Sequence, residues 1–141
     1  MRQIHPHHLW LGHAGDGRDI RQILDAGIEA VVQVAAEEPV LELPRDLIYC
    51  RFPVVDGPGN NWNLLQLAIT TVARLLDKEM PTFVVCGAGL SRSPAVAAAA
   101  LALASRQFPD ECLKQVAEHH PADVAPALWD EIKKVMAQLK G

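Results

Sequence analysis

Phe83-Val84-Val85-Cys86-Gly87-Ala88-Gly89-Leu90-Ser91-Arg92-Ser93-Pro94, followed by Ala95-Val96-Ala97-Ala98-Ala99-Ala100-Leu101-Ala102-Leu103, is the stretch that decides the fold. The apolar, Val-rich start predicts a short buried strand. The residues after it are small, and two are glycines, so the backbone can turn tightly and expose consecutive N–H groups. From Ser93-Pro94 the alanine run predicts a strong helix, with proline near its first turn, where a missing N–H is harmless. Strand, glycine-bearing loop and helix N-terminus together form an anion cradle. It begins with a thiol, Cys86, and ends with a guanidinium, Arg92.

Loop amides and helix N-terminus favour negative charge, so they favour the thiolate of Cys86. Arg92 offers a planar fork of donors that matches two oxygens of a phosphoryl group. The intervening Gly87, Ala88, Gly89, Leu90 and Ser91 supply backbone N–H groups to the same anion. Ser93 is placed to donate its hydroxyl to the sulfur and ease its departure in a second step. A buried structural cysteine followed by an ordinary loop would not require Gly, Ser and Arg at these offsets together.

Working outward, alternating strands and helices predict one α/β domain spanning residues 1–141. Its mainly parallel (mixed) sheet of four to five strands carries helices on both faces. Strands are expected at Leu9–Gly12, at Ile28–Val34 (central and parallel) and at Leu47–Val55. Ile20, Ile23 and Leu24 share one face of a short helix that Gly27 stops. A longer helix covers Trp62–Lys78, capped by Asn60 or Asn61, with Leu64, Leu65, Leu67, Ile69, Val72, Leu75 and Leu76 buried. Further helices are expected at Pro109–His119 and Pro126–Leu139, the last with Leu128, Ile132, Val135 and Met136 inward.

Half of the 141 residues are apolar and 21% are charged, which marks a globular chain with a real core. No run reaches the ~20 apolar residues needed to span a bilayer, and the N-terminus lacks the apolar core of a signal peptide. Three cysteines in no framework spacing fit a reducing, cytoplasmic setting. The net charge of −4 argues against general nucleic-acid or anionic-membrane binding. His5, His7, His8 and His13 lack companions at metal-ligand spacing, so the expectation is no metal site and no cofactor. Cys50 reads as a small core residue, with oxidative pairing to Cys86 as a lesser alternative.

A cysteinyl-phosphate route needs an acid to protonate the departing oxygen. Asp56, in the turn Asp56-Gly57-Pro58-Gly59-Asn60-Asn61, follows a predicted parallel strand at the edge where open α/β sheets build their sites. Asp46, at a strand start, and Asp77, in the last turn of a helix, are poorer placed.

The run Cys86-x-x-Gly89-x-Ser91-Arg92-Ser93 resembles the signature of cysteine-dependent protein phosphatases, in particular the compact dual-specificity type. Leu9-Trp10-Leu11-Gly12 and Gly27-Ile28-x-x-Val31-Val32-x-Val34 are also similar to that family. So is the position of Asp56, about thirty residues before the cysteine and with Asn just beyond. The resemblance implies hydrolysis of phosphate monoesters, phosphotyrosine and also phosphoserine or phosphothreonine, through a phosphocysteine on Cys86. Arg92 would bind phosphate, Asp56 would be the general acid and base, Ser93 would assist, and the partner would be a phosphorylated protein or small phosphomonoester. Two departures stand out: Val85 occupies the place of the family's usual His, and Val124-Ala125-Pro126-Ala127 lacks the expected Asn. Two other readings remain open, a rhodanese-like sulfurtransferase and a catalytically weak phosphate-binding module.

Overall fold

The computed structural model of the protein describes residues 1–140. β1 (Arg2–Gln3) and β2 (Leu9–Gly12) lead through α1 (Ala14–Gly17) and α2 (Ile20–Asp25) to β3 (Ala30–Gln33) and β4 (Ile48–Arg51). Then come α3 (Trp62–Asp77), β5 (Thr82–Val85), α4 (Arg92–Ser105), α5 (Pro109–His119) and α6 (Pro126–Lys140). The strands form one sheet in the order β1-β2-β5-β3-β4, parallel except for the β1–β2 pair. This is the single-domain α/β architecture with a mixed sheet that the sequence predicts.

Register explains where a site can lie. Gly12 pairs with Val85, Val85 with Gln33, and Gln33 with Arg51, so the four parallel strands end at one level. The loops that leave them emerge side by side and carry His13, Cys86, Glu37 and Asp56 to the same edge. In a parallel sheet this edge is where separate loops converge.

Alternation along the strands feeds two cores. Leu9, Leu11, Ala30, Val32 and Val84 face the cluster built with α3, α4, α5 and α6. Val31, Phe83 and Val85 face a smaller cluster with Ile23, Ile28 and Leu41. Helices thus cover both faces unequally, with four on one and the short α2 plus the loop after β3 on the other. Every residue of α4 from Arg92 to Ala102 is buried, and the helix touches α3, α5 and α6. Its alanines let three helices approach one rod closely. Gly27 at φ 75° ends α2 as expected, in the left-handed conformation that glycine adopts without penalty.

Leu128, Ile132, Val135 and Met136 all point inward. Leu67 does not: it is 56% exposed, because it lies two residues from buried Leu65, on the opposite side of α3. Ala68 and Ala73 are buried in its stead. The strand expected over Leu47–Val55 ends at Arg51. Phe52 N–H makes one more bond to Gln33 O (2.8 Å), and Pro53 has no N–H with which to continue the ladder. β1 and α1 are too short to leave a periodic signal.

Candidate active site

Cys86 follows β5 directly and is buried, its sulfur 3.2 Å from Ser93 Oγ. The Ser93 N–H, in the first turn of α4, points at the same sulfur at 3.4 Å. The Cys86 sulfur and the Ser93 hydroxyl thus stand within hydrogen-bond distance. The loop between them is pinned from outside: Gly87 O accepts from Ala14 N–H (2.9 Å), and Leu90 O accepts from Asp123 N–H (2.7 Å). Gly89 adopts φ 76°, and a Cβ there would stand 2.8 Å from the Gly12 carbonyl carbon. Only glycine lets this loop fold against the end of β2. Among the described hydrogen bonds, none uses the N–H of Ala88, Gly89, Leu90, Ser91 or Arg92 as donor.

Beside the sulfur is a cavity of about 220 Å³, lined by Asp56, Cys86, Ala88, Leu90, Ser91, Arg92 and Asp123. Arg92 is buried under it, only 5% exposed. Its Nη1 donates to Val54 O (2.9 Å), and both terminal nitrogens donate to the Glu37 carboxylate. Hydrogen bonding from Arg92 holds the Glu37 carboxyl below its ordinary pKa, and Glu37 in turn raises that of the guanidinium. Arg92 Nε is buried without a hydrogen-bond partner, alone in this among the described side-chain nitrogens and oxygens. An orphaned, charged N–H in a residue that lines a cavity is costly unless an acceptor reaches it.

Asp56 is exposed at the mouth, and Ser91 Oγ donates to its Oδ1 (2.6 Å). That hydroxyl also accepts from Ala125 N–H (2.9 Å), in the segment where the expected Asn is missing. Ser91 therefore links the loop after β5, the loop carrying Asp56 and the start of α6. It does not cap α4 with its side chain.

The loop carrying Asp56 is held at its far end. Asn60 Oδ1 accepts from Val55 N–H (2.8 Å), while Asn60 Nδ2 donates to Val55 O and Gly57 O. Glu131 of α6 accepts from the N–H groups of Gly59 (2.7 Å) and Asn60 (3.2 Å). Asn61, not Asn60, caps α3. Replacing Glu131 by Gln weakens these charge-assisted bonds. The expected result is a loss of about 1 kcal/mol in stability, read by thermal melting.

Val85 is 1% exposed and packs among Ile23, Ile28, Val31, Leu41 and Phe83. Cys50 and Cys86 are both free thiols, and Cys50 is half-buried against the larger core. His13 caps α1, its Nδ1 accepting from Asp16 N–H (3.3 Å). The rings of His5 and His119 meet edge-on with centroids 5.9 Å apart. Among the described residues no helix is long and apolar enough to cross a membrane.

Sequence reasoning missed Glu37, Glu131 and the bridging role of Ser91. Glu37 alone had a local signal, since it follows a parallel strand at the edge that bears the site. The other two depend on contacts across 35 and 72 residues.

Strand order, the loop from Cys86 to Arg92 and the buried helix behind it define a dual-specificity phosphatase-like fold. Human DUSP28 superposes with a TM-score of 0.87 at 24% identity, covering 99% of this chain and 98% of that one. A mouse protein assigned as a dual specificity phosphatase, complexed with zinc tungstate, gives 0.86 at 24% identity over 99% and 87%. The human tyrosine phosphatase-like serine/threonine/tyrosine-interacting protein gives 0.83 at 17% identity over 100% and 98%. No family model matches the sequence, and no curated protein does.

Proposed function

We propose that the protein is a cysteine-dependent phosphatase hydrolysing phosphate monoesters through a phosphocysteine on Cys86. The observation that carries this reading is the buried Cys86–Ser93 pair beside a cavity lined by Arg92, whose Nε has no partner. A phosphoryl oxygen is the acceptor that such a donor lacks, and the idle loop amides offer further donors for the equatorial oxygens. The fold is shared with a protein complexed with a tungstate salt, and tungstate is a tetrahedral oxyanion like phosphate.

In the first step the Cys86 thiolate attacks phosphorus, the S–P bond forms and the P–O bond to the leaving group breaks. Asp56 gives its proton to the departing oxygen. Its Oδ1 accepts from Ser91, and its second carboxyl oxygen has no protein partner among the described residues. In the second step water attacks phosphorus, Asp56 takes the proton, and the S–P electron pair returns to sulfur. The Ser93 hydroxyl and N–H stabilise the charge that reappears on it. Glu37 accepts from both terminal nitrogens of Arg92, so the guanidinium does not need to be ordered by substrate.

Leu90, 41% exposed at the cavity, offers apolar surface for an aryl ring, so phosphotyrosine is the leading substrate and phosphoserine or phosphothreonine the second. Three free thiols favour a reducing compartment such as the cytoplasm. The sulfurtransferase alternative gives no role to the Ser91–Asp56 contact. A phosphate-binding module is favoured by one observation, the apolar packing of Val85. The deciding measurement is phosphate release from p-nitrophenyl phosphate. Vanadate-sensitive turnover is expected, whereas tight phosphopeptide binding without turnover would establish the binding module.

A further inference from the structure

We infer that this site selects phosphorylated protein segments whose flanking residues are basic; this rests on the phosphatase reading above. Arg92 is the one cation among the residues lining the phosphate cavity, which also holds Asp56 and Asp123. Glu37 stands over the loop, its Oε2 2.8 Å from where a Gly87 Cβ would sit, and Glu38 Oε2 is 3.8 Å from the same point. Two carboxylates therefore line the phosphate cavity itself, and two more stand on the turn that meets its loop at Gly87.

The same turn leads into a second, larger cavity. It measures about 490 Å³ and is lined by Arg18, Ile20, Glu38, Pro39, Val40, Leu41 and Glu42. Ile20, Pro39, Leu41 and Val40 (65% exposed) form apolar walls, with the carboxylates of Glu38 and Glu42 beside them. The neighbouring cations are engaged: Arg18 lies 4.0 Å from Glu38, and Arg51 donates to the carbonyls of Ala36 and Glu38. An apolar slot with a carboxylate rim suits the aliphatic stem and charged head of lysine or arginine. Glu37 and Glu38 are adjacent in sequence, so one short turn serves both cavities. A phosphotyrosine on Cys86 and a basic residue a few positions away would be read together.

On the phosphatase reading, the unpartnered Arg92 Nε is a donor for the anion in the first cavity. The acidic surroundings then disfavour a second phosphate nearby, because like charges repel at these distances. Doubly phosphorylated peptides and phosphoinositide vesicles are therefore poor substrates.

The test uses two phosphotyrosine peptides of equal length, one with Lys and Arg flanks and one with Glu and Asp flanks. The basic peptide is expected to show kcat/KM about tenfold higher or more at low salt, with the gap shrinking as salt rises. Combining Glu38→Lys with Asp123→Lys should bring the two peptides within a few-fold of each other. Binding of the same peptides to Cys86→Ser, read by fluorescence anisotropy, should show the same order without requiring turnover. Equal binding and turnover of both peptides, or preference for the acidic peptide, a doubly phosphorylated one or a phosphoinositide vesicle, overturns the inference. Ordered binding with no turnover of p-nitrophenyl phosphate by the wild type supports the inference and sinks the phosphatase reading instead.

Discussion

Cys86→Ser is expected to abolish phosphate release from p-nitrophenyl phosphate, with a loss of about 10⁴-fold or more in kcat. The reason lies in the sulfur. A thiolate is accessible to a protein near neutral pH and leaves phosphorus readily, whereas a serine hydroxyl here has no general base beside it. The hydrogen-bond partners of Cys86 Sγ are the Ser93 hydroxyl and N–H, neither of which is a base strong enough to take the proton of a serine. The variant should fold, because a hydroxyl can use the same two groups at a position only 2% exposed. Arg92 Nε and the loop amides remain, so phosphate or vanadate should still bind. Rapid acid quench of the wild type with labelled substrate should place phosphate on Cys86, and the variant should carry none. Full turnover by Cys86→Ser would remove the nucleophile from the proposed reaction.

The second large effect is expected at Asp56. Asp56→Asn keeps an oxygen that can accept from Ser91 Oγ, so the loop should hold its place. What disappears is the proton for the leaving group. Loss of general acid help lowers rates by about 10²–10⁴-fold, and the loss is greatest where the leaving oxygen is most basic. Phenyl phosphate and alkyl phosphates should therefore suffer far more than p-nitrophenyl phosphate, whose nitrophenolate leaves unaided. A uniform loss across leaving groups would instead assign Asp56 a positioning role. The same comparison separates Asp56 from Glu131, whose substitution displaces the loop without removing its carboxyl group.

Asp56 also illustrates how far linear reading reaches. Its position after a parallel strand, thirty residues before Cys86, was enough to nominate it, because loops at that edge of a parallel sheet must converge. The strand-turn-helix from Phe83 to Leu103 was equally legible. Its conformation follows from local preferences: β-branched residues, glycine at the tight turn and alanines for the helix. Glu37 also follows a parallel strand, but nothing in its local sequence singles out its carboxylate. Its carboxylate matters only because Arg92, 55 residues later, is buried with both terminal nitrogens turned toward it. Leu67 was placed inward because it is apolar, and the angle between it and Leu65 on α3 turned it to solvent.

The chain alone thus determined the α/β class, the cradle from Cys86 to Arg92, and the nomination of Asp56 and Ser93. These follow from short-range backbone preferences and from the rule that parallel strands open their loops at one edge. Only the tertiary structure decided which groups hold that cradle in working order. Glu37 and Val54 O hold Arg92, Ser91 joins Asp56 to Ala125, and Glu131 secures the loop carrying Asp56 from the last helix. Such bonds join residues that share no local pattern, and they form only where burial leaves a charged or polar group in need of a partner.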